Sequence, residues 1–170
     1  MNIPNVEKKL REAEFFLSEL ADQASRALGV GEEFDCFLSA FLGACRTVDY
    51  RLRHEQPTLY PPWRSQWDAA LSPDDRALIK FLVDDRNFEI HESGSTRVEG
   101  VELIPIYDTY REKGGTVTVT APIMDGPPAS LRKRTYSFQL SGNQIDALDA
   151  CGKYRTLLKK MVGDFVAAHP

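Results

Sequence analysis

Val6, Leu10, Ala13, Leu17, Leu20, Ala24 and Leu28 recur at spacings of three and four residues. Phe34, Phe37, Leu38, Phe41, Cys45, Val48 and Leu52 repeat that pattern soon afterwards. Such periods put one apolar stripe on each of two long helices, the first from about Asn5 to Leu28 and the second from near Glu32. Pro4 suits the first helical turn, and Gly29 and Gly31 flank the stop. So short a link folds the two helices back as an antiparallel hairpin. The chain is therefore committed from its start to packing helix on helix.

The segment from Gln56 to Trp67 breaks the pattern. Pro57, Pro61 and Pro62 interrupt regular structure, while Tyr60, Trp63 and Trp67 carry large apolar faces. It reads as a loop packed down by its aromatics or as a rim on which a base stacks, and the residues leave both open. Ser72-Pro73-Asp74-Asp75 then starts a helix: a capping hydroxyl, a preformed proline and acids at the positive end. Ala77, Leu78, Phe81 and Leu82 supply its stripe, and the helix runs to His91 before Ser93-Gly94-Ser95. A break near Asp84 is the other option.

Between Val98 and Leu140 the period changes to two. Val101 and Leu103, Thr116 to Thr120, and Tyr136, Phe138 and Leu140 mark strands, with turns at Gly114-Gly115 and Asp125-Gly126-Pro127-Pro128. From about Gly142 the helical period returns through Ile145, Leu148, Cys151, Tyr154, Leu158, Met161 and Phe165. The expected fold is mainly α: an antiparallel helical bundle with a small antiparallel β insertion, residues 98–140, before the C-terminal helix. Its 170 residues suit a single domain.

The net charge of -4 narrows the function. Residues up to His91 hold 16 acidic and 11 basic side chains, and the rest 9 and 10. No basic domain or tail stands out, which argues against a protein that holds nucleic acid by charge alone. A nuclease with a small positive pocket stays compatible, because catalysis needs only a local field. Cys36, Cys45 and Cys151 lack the spacing of a zinc or redox motif and read as buried thiols of a reducing compartment. The N-terminus turns amphipathic at once, and no stretch approaches about 18 uninterrupted apolar residues. The expected location is cytoplasmic, with no membrane span.

Gly94-Ser95, Gly114-Gly115 and Gly126 form no phosphate-loop or dinucleotide pattern. His54, His91 and His169 are too scattered for a histidine metal site, and no serine sits in a nucleophile elbow. Asp84, Asp85, Glu89 and Glu92 read as a solvated acidic face rather than a cation site. What remains is Arg86-Asn87-Phe88-Glu89-Ile90-His91. Arginine offers a planar fork of permanent donors to phosphate oxygens, and histidine moves a proton near neutrality. Five positions on a helix amount to about 140° of rotation, so the two side chains meet only at the edges of one face or across a distortion. The plain alternative is an arginine paired with Asp85 or Glu89 and a histidine bonded at a helix end.

Arg86-Asn87-x-x-x-His91, preceded by two long amphipathic helices and followed by another, resembles the HEPN family, nucleotide-binding helical bundles of higher eukaryotes and prokaryotes. Its motif is an arginine, often a polar residue such as asparagine, and a histidine after four to six residues. The resemblance covers residues 5–92 and 141–168 and leaves the β insertion aside. It implies a metal-independent endoribonuclease without cofactor, of the toxin or defence type, acting on single-stranded or structured RNA. Arg86 would orient the scissile phosphate, and His91 would assist proton transfer as the 2'-hydroxyl attacks. Asn87 would bond the phosphate or its neighbours. The products would end in 2',3'-cyclic phosphate and 5'-hydroxyl. It further implies a homodimer whose two motifs line one cleft, a neutralising partner protein, and a polar residue from the second helix, with Arg46 and Asp49 nearest. Arg132-Lys133-Arg134 and Lys159-Lys160 are candidate guiding patches. The alternative implied by the same family is a non-catalytic dimerisation or protein- or nucleotide-binding module.

Overall fold

A computed structural model describes residues 3–26, 31–91, 96–105, 108–112, 115–119 and 130–170. Within these, the side chains of 86–91, 103–105, 108–112, 115–119 and 130–132 lie outside the description. Among the described residues, five helices and five strands follow in the order α1 (Pro4–Ser25), α2 (Gly31–Glu55), α3 (Tyr60–Ala70), α4 (Pro73–His91), β1 (Val98–Pro105), β2 (Asp108–Glu112), β3 (Gly115–Val119), β4 (Ser130–Leu140), β5 (Asn143–Asp146) and α5 (Ala147–Ala168). The expected helical bundle with a small antiparallel sheet ahead of the last helix is what forms.

α1 and α2 pack along their lengths, as their stripes require. Val6, Ala13 and Leu20 of α1 are buried with Phe34, Leu38, Phe41, Cys45, Val48 and Leu52 of α2. α5 closes the core with Cys151, Tyr154, Leu158, Met161 and Phe165. Fully burying one such side chain stabilises the fold by about 1.5–3 kcal/mol, so the core rests on these three stripes. α4 runs unbroken past Asp84. Ser72 Oγ accepts from the Asp75 amide at 3.1 Å, and the Asp75 carboxylate meets Lys153 of α5 at 2.7 Å. Lys153, and then Ser72, hold that carboxyl below its ordinary range.

The segment expected to be a loop is in part helix α3. Pro61 and Pro62 occupy its first turn, where amides have no intrahelical acceptor and proline removes no bond. The turn before it is held by the Tyr60 amide donating to the Gln56 carbonyl at 3.0 Å. Tyr60 and Trp67 belong to the core rather than to a rim, and Trp67 Nε1 donates to Asp164 of α5 at 2.9 Å.

The β insertion forms two separate ladders. β1, β4 and β5 make one antiparallel sheet in the order β1-β4-β5, whereas β2 and β3 pair only with each other. The strand expected at Thr116–Thr120 thus lies outside the main sheet. The helical period expected from Gly142 starts later, at Ala147, because Asn143–Asp146 first pairs back on β4 from Leu140↔Asn143 to Ser137↔Asp146. Ser141 and Gly142 both have positive φ, 51° and 83°, the conformation a two-residue hairpin needs to match strand twist. Asp146 then caps α5, accepting from the Asp149 amide at 3.0 Å. The expected turn at residues 125–128 lies outside the described residues.

Arg97 clips the sheet to the bundle. Its guanidinium takes Asp35 of α2 in a two-pronged grip, reaches the Gly31 carbonyl, and lies 5.0 Å from the Tyr136 ring centre. Tyr136 stacks on Phe34 with centroids 3.7 Å apart, and Phe138 meets Phe81 of α4 edge-on. A Cβ at Gly31 would come within 2.6 Å of Glu99 Oε2, the mobile end of a side chain on the sheet.

Candidate functional site

A cleft of about 370 Å³ opens where α2, α3, α4 and α5 meet. Its floor is apolar, from Ile79 and Val83 of α4 and Tyr154 and Leu158 of α5. Its walls are charged: Arg46, Asp49 and Arg53 from α2, Arg64 and Asp68 from α3. Among the described residues the lining holds three arginines and two aspartates, within an acidic protein.

Asp49 organises these charges. Its Oδ1 accepts from the Tyr60 hydroxyl at 2.5 Å and from Arg64 Nε at 3.2 Å, and its Oδ2 faces Arg53 Nη2 at 3.6 Å. Arg64 also pairs with Asp68, one turn along α3, and stacks its guanidinium 5.1 Å from the Trp67 ring centre. Only 14% of the Arg64 side chain is exposed, so its charge is held largely out of water. Burial, and then the Asp49 charge, push the Tyr60 hydroxyl far above its ordinary range. Tyr60 is therefore a fixed donor and not an acid.

Arg46, Tyr50 and Arg53 stand at i, i+4 and i+7 on the solvent side of α2 and form the outer rim. Tyr50 is 63% exposed, and His54 lies beside it with ring planes 24° apart and centroids 6.5 Å apart.

Arg86, Asn87 and His91 all fall in the last turns of α4; their side chains lie outside the described residues. Their backbone positions are fixed by the helix. Arg86 follows Ile79 by seven residues, which brings it back to within about 20° of the cleft-lining stripe, one turn beyond Val83. His91 falls about 120° from Ile79 and about 80° from Val83, in line with Lys80 and Asp84, which form an exposed pair at 2.5 Å. Asn87 lies on the Lys80 side as well. Around α4 the Arg86 position is thus nearer the Ile79 side of the cleft and the His91 position nearer the Lys80 and Asp84 side.

Asp85 sets the rotation of α4 at this level. It is buried rather than part of a solvated acidic face, and accepts from the amide of Thr96 at 2.8 Å and from its hydroxyl. It also adds to the effect of burial in keeping the Cys151 thiol protonated. Cys45 is buried in the same way, but Cys36 is exposed, contrary to the expectation of three buried thiols. Cys36 occupies a position of α2 outside its apolar stripe.

Among the described residues, no group of histidine, cysteine and carboxylate side chains has the arrangement of a metal site. No described helix is long and apolar enough to cross a membrane. Arg46 and Asp49, singled out in the sequence as polar neighbours on the second helix, both line the cleft. Arg64 and Tyr50 were missed. Arg64 stood in a presumed loop, whereas the Arg46-x3-Tyr50-x2-Arg53 spacing was there to be read as one helical stripe. Comparison with protein-family models, with curated proteins and with solved structures gives no match.

Proposed function

We propose that the protein is a metal-independent endoribonuclease with a HEPN-like bundle, working as a homodimer at the arginine-lined cleft. The observation that carries this reading is the continuation of the cleft-lining stripe of α4, Ile79 and Val83, into the Arg86 position. With Arg46, Arg53 and Arg64 around it, the cleft suits a phosphodiester, and the Arg86 position lies on the adjoining turn of α4. Arginine forks bind phosphate oxygens in pairs and keep their charge at any working pH.

Arg86 orients the scissile phosphate and neutralises charge as the 2'-hydroxyl oxygen attacks phosphorus. His91 exchanges the proton that leaves the 2'-hydroxyl or enters on the 5'-oxygen. Asn87 bonds the phosphate or steadies its neighbours. Because the Arg86 and His91 positions lie about 140° apart around one helix, the histidine that serves a given cleft comes from the second copy of the chain. Dimerisation is then part of the chemistry.

The test is incubation of a mixed-sequence RNA with the purified protein in excess EDTA, followed by identification of the product ends. Cyclic 2',3'-phosphates and 5'-hydroxyls are expected. The position of His91 on the Lys80 and Asp84 stripe favours the second reading, a non-catalytic binding module. That module binds without cutting, and intact RNA after incubation with folded dimer would select it.

A further inference from the structure

We propose that Tyr50 is the stacking platform for a base of single-stranded RNA whose phosphates lie on Arg46 and Arg53. This deepens the nuclease reading and rests on it for the choice of RNA as ligand. Tyr50 is the most exposed large apolar side chain of the described residues, and it stands on the rim of the cleft rather than on a featureless surface. Arg46 and Arg53 precede and follow it by four and three residues, so both are its neighbours on the same helical face. A phenol ring with a guanidinium on either side matches a nucleotide strand, a flat base with a charged phosphate before and after it. Every base has a π-face, so this contact holds RNA without choosing its sequence. His54, almost parallel to Tyr50, extends the platform. The neighbouring Asp49 is offset on its Oδ1 side by Arg64 and the Tyr60 hydroxyl, while Arg53, 60% exposed and 3.6 Å from Oδ2, faces the strand. The cleft volume, about 370 Å³, is within the range of sites that hold one small-molecule unit.

The experiment measures binding, not cleavage. A fluorescent, uncleavable 2'-O-methyl oligonucleotide and an abasic strand of equal length are titrated with wild type, Tyr50→Ala and Tyr50→Trp. Tyr50→Ala is expected to weaken the base-bearing strand by about 10-fold and to leave the abasic strand unchanged, as follows from losing one stacked base. Tyr50→Trp is expected to stay within about threefold of wild type, because the indole face also stacks. Equal affinity of wild type and Tyr50→Ala for the base-bearing strand overturns the proposal. So does an equal loss on both strands, or no binding of either strand by wild type. If Tyr50-dependent binding is found and unmodified RNA stays uncut, the platform stands and only the nuclease reading falls.

Discussion

Arg86→Ala and His91→Ala are each expected to lower RNA cleavage by at least about 100-fold, with the helical content retained. A factor of 100 corresponds to about 2.7 kcal/mol of transition-state stabilisation, the scale of one preorganised charged donor or one positioned proton carrier. Arg86→Lys is expected to recover little, since an ammonium supplies the charge without the planar fork. The two losses have different signatures. Without Arg86 the phosphate is held less well in both ground and transition states, so KM rises as well as kcat falling. Without His91 binding survives and kcat carries the loss. Initial rates over a range of RNA concentrations, with circular dichroism on each variant, measure both. Variants that cut as fast as wild type would remove the motif from the chemistry.

Asp49→Ala is expected to cost about 2–3 kcal/mol of stability and to lower the Tm by roughly 5–10 °C. The substitution leaves the Tyr60 hydroxyl inside the core without its carboxylate acceptor, and leaves Arg64, mostly buried, with Asp68 as its remaining ion-pair partner. Much of the loss is the cost of a poorly satisfied hydroxyl, left with the weak Met161 Sδ acceptor at 3.3 Å, rather than of a missing attraction. Adding Tyr60→Phe to Asp49→Ala is therefore expected to restore part of the stability, because the poorly satisfied hydroxyl goes with it. Thermal melts of the two single variants and the double variant check this. Strict additivity of the two losses would mean that Asp49 and Tyr60 act independently.

The elements that were legible in the sequence are those whose burial is periodic. α1, α2 and α4 each carry one apolar stripe; α1 opens on Pro4 and α4 on Ser72-Pro73 as expected, whereas α1 ends at Ser25 and not at Leu28. The misses have separate causes. α3 was hidden by Pro61 and Pro62, which mark a break in a helix interior but cost nothing in a first turn. β5 was hidden because Ile145 fits the helical stripe that follows, and the Ser141-Gly142 hairpin signal was outweighed. β2, Asp-Thr-Tyr-Arg-Glu, has no apolar alternation to betray it, and with it went the pairing of β3.

The site followed the same logic. Arg46 and Asp49 were found through their place on α2, whereas Arg64 depends on a helix that was not foreseen. Tyr60 and Trp67 read from the sequence as either packed down or on a rim, and they belong to the core, because side-chain depth in α3 follows from its packing on α5. The exposed aromatic of the cleft is Tyr50, on the polar side of a stripe that was read only for its apolar half.

The central claim is attack by the 2'-hydroxyl without a metal. It is tested most directly with an RNA cut at one mapped position, compared in excess EDTA with the same RNA carrying a single 2'-deoxyribose immediately 5' of that position. The intact RNA is expected to be cut there and to leave a cyclic phosphate, and the deoxy substrate to resist at that position while remaining bound. Equal cleavage of the two substrates, or cleavage that stops when EDTA is added, would contradict the account.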